Sequence, residues 1–218
     1  MATGKFGVVE PTFDKCLKDE KFPYIVVLAR AANALRFVHT AMRHAGSGDA
    51  PEAQRARLNS YLFASAILYE ALQLVKAMNQ LFRQDALFQE GLRRFLRDKK
   101  VRSLERAHLD PARNGAVFHF LPKRFGDAAR KAVSDGCVFT LGRGNPTNDV
   151  HYAFADMVAG EILVGHAGGT EEFYRLLETA MIDTRELLIE FLAKAEKLVN
   201  HDLQRWGFGN VVVPRSVG

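Results

Sequence analysis

Apolar residues recur every three or four positions along most of this chain, and that rhythm predicts helices. From Tyr24 to His44 the stripe is Ile25, Leu28, Ala32, Leu35, His39 and Met42. Gly46-Ser47-Gly48-Asp49-Ala50-Pro51 then breaks the pattern as a loop. A second helix is expected to start between Pro51 and Leu58 and to reach about Arg83. Its stripe is Tyr61, Ala64, Leu68, Ala71, Val75, Met78 and Phe82. A neighbouring row of Phe63, Ile67, Glu70, Leu74, Ala77 and Leu81 is apolar except at Glu70. A face that wide predicts a helix packed on more than one partner. A shorter helix follows, about Asp85 to Lys99, with Leu87, Phe88, Leu92, Phe95 and Leu96 as its apolar side.

Asp110-Pro111 has the form of an N-cap followed by proline at the first helical position. The helix so begun should end or bend at Pro122, and another should run from Lys123 to Ser134. Cys137 to Leu141 and Val150 to Phe154 are short and rich in β-branched or aromatic residues, so a small β-hairpin or irregular excursion is expected around 137–154. Asp156 to Val164 reads as a helix. Thr170 then caps a long last one, with Glu171 and Glu172 well placed in its first turn. The stripe of that helix is Phe173, Leu177, Ala180, Thr184, Leu187, Phe191, Ala195 and Leu198. Long helices with short connections imply an all-α, up-and-down bundle over residues 1–218. Residues 1–22 form an N-terminal extension and 206–218 a tail that packs through Trp206 and Phe208.

Composition narrows this picture without changing it. Nearly half of the 218 residues are apolar, enough for a core without staples. Cys16 and Cys137 are read as reduced thiols in a reducing compartment. Met1 to Pro11 lacks the apolar run of a signal peptide, and Tyr24 to Val38, broken by Arg30, Asn33 and Arg36, falls short of a membrane span. A cytoplasmic protein with no membrane partner is expected. The net charge of +5 hides a local surplus. From Arg93 to Lys131 there are twelve Lys or Arg against four Asp or Glu. On charge alone that segment fits a solvated helix face as well as a site for a polyanion.

The chemistry-bearing stretch is Leu109-Asp110-Pro111-Ala112-Arg113-Asn114-Gly115-Ala116-Val117-Phe118-His119-Phe120. An arginine followed by a polar residue, with a histidine after five intervening positions, resembles the motif of the HEPN superfamily. Those are helical-bundle domains, many of them metal-independent ribonucleases of toxin–antitoxin and defence systems. The resemblance implies an endoribonuclease with Arg113, Asn114 and His119 as catalytic residues and no cofactor. It further implies a homodimer that brings two motifs to one cleft, and a cognate antitoxin protein as partner. RNA is the expected substrate, gripped by Arg97, Lys99, Lys100, Arg102, Lys123 and Arg124.

The residue types suit that chemistry on their own terms. Cleavage by the 2′-hydroxyl needs a base for its proton and an acid for the leaving 5′-oxygen, and histidine serves both near neutral pH. A guanidinium grips the charge that builds on phosphorus, and an asparagine can orient it. On a regular helix Arg113 and His119 would project about 120° apart and about 9 Å along the axis, so one chain offers a thin site. A surface arginine beside a satisfied core histidine is the competing interpretation. Beside the nuclease stand two alternatives: a catalytically inactive HEPN-like RNA- or protein-binding module, and a helical scaffold that touches no nucleic acid.

Other candidates weigh less. Glu70, set among apolar neighbours, is expected to be a buried carboxylate in a structural salt bridge, with Arg113 as one candidate partner. His39 is read as a core or bundle-end histidine. Glu105-Arg106-Ala107-His108 matches one half of a di-iron element, but no second copy is found, so no metal is expected. Gly142-Arg143-Gly144 is read as a turn more than as a phosphate site.

Overall fold

A computed structural model describes residues 16–44, 51–117, 122–134, 142–143, 150–151, 153–164 and 170–207. The chain folds as an all-α bundle. Helix α1 is Phe22–His44 and α2 is Pro51–Met78. A rod over 86–97, here α3, joins Ala86–Phe88, Gln89–Arg93 and Arg94–Arg97 without a break. A second rod over 99–117, α4, contains Lys99–Leu104, Glu105–Leu109 and Ala112–Val117. Helix α5 is Pro122–Ser134, α6 is Ala153–Val164 and α7 is Thr170–Arg205. Gly142–Arg143 and Val150–His151 pair antiparallel, Gly142 opposite His151. The pairing lies within the expected excursion but takes up Gly142 and Arg143, read from the sequence as part of a turn; Cys137 to Leu141, the segment expected as the first strand, and Gly144 to Asp149 lie outside the described residues.

The stripes predicted for α2 and α7 are buried at every position, from Tyr61 to Phe82 and from Phe173 to Leu198. On α1 the buried edge is Ile25, Leu28, Ala32, Leu35 and Val38, while Val26, Val27 and Phe37 face outward. It is also the one described helix whose length and mean hydropathy would let it cross a bilayer. The main core joins α1, α2, α3, α4 and the C-terminal half of α7. A smaller one gathers Leu58, Tyr61, Leu62, Ala112, Ala116, Ala159, Leu163, Phe173 and Leu177. Burying one Leu or Phe contributes about 1.5–3 kcal/mol, whereas an exposed ion pair contributes about 0–1, so the apolar stripes decide the architecture.

The second wide row of α2 lies on the opposite flank from the one expected. Leu58, Leu62, Ser65 and Leu72 are buried, whereas Phe63, Glu70 and Ala77 are exposed. The reason is what lies alongside. The polar flank through Tyr69, Glu70, Gln73 and Lys76 meets α4, Gln73 Nε2 donating to Glu105 at 2.8 Å and Lys76 pairing with the same carboxylate.

Two aspartates cap helices, and the second, Asp98, divides what the sequence predicts as one helix from Asp85 to Lys99. Asp85 accepts from the Phe88 N–H at 3.0 Å and Asp98 from the Lys100 N–H at 2.7 Å, each starting a rod. Asp110 does not cap a new helix. It has helical dihedrals, φ −63° and ψ −47°, inside α4. Proline inside a helix lacks its N–H and crowds the carbonyl four residues back. The wide π turn at Glu105–Leu109, bonded i to i+5, precedes Pro111 and relieves that crowding.

The segment leading into α1 and the end of α7 are tied together. Trp206 Nε1 donates to Asp19 Oδ2 at 3.0 Å, Arg205 Nη2 meets the same oxygen at 2.7 Å, and Trp206 stacks edge-on against Phe22. Beneath them Asp202 is fully buried, with Arg205 Nε at 3.4 Å. Burial pushes its carboxyl up from the ordinary 3.8, against the pull of Arg205 and Lys21 and with help from Asp85. Phe208 lies outside the described residues.

A carboxyl whose folded pKa is raised keeps its proton longer in the native state, so its ionisation erodes stability as pH climbs above 3.8. Asp202→Asn should remove that decline, and chemical unfolding of both proteins between about pH 4 and pH 7 would measure it. Superimposable pH profiles would mean that Asp202 titrates normally. A Cβ at Gly160 would meet Phe173 Cζ at 2.7 Å in a buried contact, whereas one at Gly91 meets nothing within 4 Å. Gly160→Ala should therefore cost about 1–3 kcal/mol. Gly91→Ala should gain about 0.5–1 kcal/mol, both read from denaturant midpoints.

Candidate functional site

The Arg-Asn pair sits on the last described turn of α4, Ala112–Val117, which is itself a wide π turn. Ala112 and Ala116 face the smaller core and hold that turn against α2 and α6. The expectation of 120° between Arg113 and His119 assumed regular α geometry, and this turn does not have it. His119 lies outside the described residues, with Phe118 and Phe120.

Arg113 and Asn114 belong to a chain of polar contacts. Arg113 Nε donates to Glu70 Oε1 at 2.5 Å, and its Nη1 donates to Asn114 Oδ1. Asn114 Nδ2 in turn donates to Asp110 Oδ1 at 2.6 Å. Tyr69, next to Glu70 on α2, closes the row. Burial and then the adjacent Asp110 carboxylate raise its phenol above the ordinary value, while its bond to Asn114 works the other way. Glu70 thus has the partner its sequence position suggested, but not the burial. Its side chain is 48% exposed, so this is a surface pair that orients Arg113 and adds little stability.

The other expected RNA contacts divide into two groups. Arg97, Lys99 and Arg102 are exposed on α3 and α4, as are Lys123 and Arg124 on α5. Arg124 reaches back to the motif, since a Cβ on Gly115 would meet its Nη1 at 3.2 Å and Ile162 Cγ2 at 3.0 Å. Lys100 points elsewhere. Its ammonium lies 3.1 Å from Asp183 and 2.9 Å from Glu186 on α7, and these two carboxylates raise its pKa. Its charge is compensated within the bundle by these two carboxylates.

Neither residue of the di-iron half-motif is placed for metal. Glu105 is engaged by Gln73 and Lys76, and the His108 Nδ1 lies 3.0 Å from the Leu163 carbonyl. No cluster of three or more His, Cys, Asp or Glu is arranged to hold a metal ion among the described residues. His39 is partly buried, with burial, Arg185 and Arg43 holding its pKa below the ordinary value.

Asp110 and Tyr69 are the members that the sequence reading missed. The i to i+4 spacing of Asp110 and Asn114 carried a signal, but the following proline pointed to a cap instead. Nothing in the local sequence marked Tyr69. The Glu70–Arg113 bond has a direct test. A double-mutant cycle of Glu70→Ala and Arg113→Ala should give a coupling of about 0.5–1 kcal/mol in urea unfolding. A coupling near zero would mean that the two side chains do not hold each other in solution.

No protein-family model, curated protein or solved structure matches this chain.

Proposed function

We propose that this chain is a metal-independent endoribonuclease of HEPN type, acting as a homodimer in a toxin or defence setting. The observation that carries the reading is the fixed Arg113–Asn114 pair. Glu70 holds the Nε of the guanidinium, Asn114 holds Nη1, and Asp110 holds Asn114. A side chain oriented from several directions is what transition-state recognition requires, because preorganised donors need no reorganisation when charge develops. The exposed cations Arg97, Lys99, Arg102, Lys123 and Arg124 supply a setting that attracts phosphodiesters.

In this reading the substrate 2′-oxygen attacks phosphorus and its proton passes to a His119 imidazole. The bond from phosphorus to the 5′-oxygen breaks as that oxygen takes a proton from the partner copy's histidine. The products are a 2′,3′-cyclic phosphate and a free 5′-hydroxyl. Arg113 offers a planar fork to the developing charge, which lysine cannot copy.

The mechanism assigns a separate signature to each residue. His119→Ala should abolish cleavage of total RNA while RNA affinity stays nearly intact. Arg113→Ala should lose cleavage and part of the affinity, and Arg113→Lys should recover little of either. Asn114→Ala should be milder. Cleavage should persist in EDTA and stop at a 2′-O-methylated junction. Robust cutting by folded His119→Ala protein, or strict dependence on added divalent metal, would exclude this mechanism. A protein that binds RNA and never cuts it would be the inactive binding module instead.

A further inference from the structure

Lys99, Arg102 and Arg106 project from one edge of α4 and, with Ser103 and Ala107, line an open groove of about 600 Å³. All three cations are exposed. Elsewhere on this surface many cations meet a carboxylate: Lys21 with Asp85, Arg36 with Glu196, Lys76 with Glu105, Lys100 with Asp183 and Glu186. The three in the groove have no carboxylate within 4.0 Å among the described residues. The Arg102 Nη2 makes only a neutral contact, donating to the Arg97 carbonyl at 2.8 Å. Three like charges collected along one wall and left uncompensated repel one another, and an anionic ligand relieves that repulsion.

The spacing suits a chain of phosphates better than a single one. Lys99 and Arg106 are seven residues apart, about 10 Å along a helix axis. That distance is more than a single phosphate group spans. Arg113 lies a further seven residues along the same rod, so the groove and the Arg-Asn turn are consecutive stretches of one helix.

We propose that the Lys99–Arg102–Arg106 groove is an accessory phosphate-binding site. It takes the single-stranded RNA backbone flanking the position at which Arg113 acts. The inference rests on the ribonuclease reading for its substrate, but the binding itself does not depend on cleavage. It makes the preferred substrate a polynucleotide several residues longer than the scissile step. It assigns Arg106 a role that its neighbour Glu105 does not share, and leaves Lys100 out.

The test uses the full chain and an uncleavable probe, a fluorescent 2′-O-methyl oligouridylate of roughly twelve nucleotides, titrated at several salt concentrations. Combining Lys99→Gln, Arg102→Gln and Arg106→Gln should weaken binding on the order of tenfold. It should flatten the slope of log affinity against log salt by about 2, the value for three single-strand phosphate contacts. Lys100→Gln should leave the slope unchanged. If the single Lys100 variant flattens the slope as much as the triple variant, binding is diffuse and the groove is not a site. An unchanged slope in the triple variant, with native circular dichroism, overturns the proposal outright. Should polyglutamate compete as strongly as RNA at equal charge, the occupant is an acidic protein and the RNA assignment falls. Cleavage is read in parallel. A flattened slope in a protein that cuts no RNA keeps the groove and removes the nuclease; cutting with an unaltered slope does the reverse.

Discussion

Helix α2 has neighbours around most of its circumference, and the bundle is possible only because its buried surface alternates large and small side chains. Tyr61, Leu68, Leu72, Val75 and Met78 fill space, while Ala64, Ser65, Ala66 and Ala71 let other helices come near; all are at most 1% exposed. Helix axes approach to about 8–10 Å depending on the side chains at the contact. Enlarging one of the small positions would push a neighbour outward, and the two cores share this helix. Its N-terminal half supplies Leu58, Tyr61 and Leu62 to the smaller core, and its C-terminal half feeds the larger one. A strain introduced near one end therefore reaches both.

The same helix determines how α4 is presented. The apolar side of α4, through Val101, Leu104, Leu109, Ala112 and Ala116, is buried. Its flank meets the polar row Tyr69, Glu70, Gln73 and Lys76 of α2. With one side buried and one flank engaged, the remaining edge faces solvent, and that edge carries Lys99, Arg102 and Arg106. Packing contributes the stability and the polar row contributes orientation. Exposed ion pairs are too weak to hold a helix in place.

The sequence disclosed the fold well because the apolar stripes of α2 and α7 are long and periodic, and periodicity is a property of many residues at once. Single positions were harder. Glu70 looked buried because its neighbours in the row are apolar, yet Phe63 and Ala77 in that row are exposed too. Only the placement of α4 explains this. Asp110 looked like a cap because proline follows it, and local pattern cannot show that a wide turn lets a helix pass through proline. Lys100 looked like its neighbours in a basic run, but one residue is about 100° of helix, enough to turn it toward Asp183 and Glu186 on α7. The Glu70–Arg113 pair spans 43 residues of sequence. It was anticipated as a chemical need of two charged groups and not from any spacing.

The wide turns of α4 have a consequence for how this segment tolerates change in length. A π turn accommodates one residue more than the α turn it replaces, so each acts as an insertion already absorbed by the helix. Two of them, at Glu105–Leu109 and Ala112–Val117, lie between Arg102 and the end of the Arg-Asn turn, the first of them carrying Arg106. Loss of a single residue there could be taken up by relaxing one wide turn to an ordinary one, with the rod left continuous. Everything beyond the deletion would then keep its facing toward α2, and the spacing in sequence would shorten by one. Homologous chains would be free to differ by a residue between the basic run and the arginine.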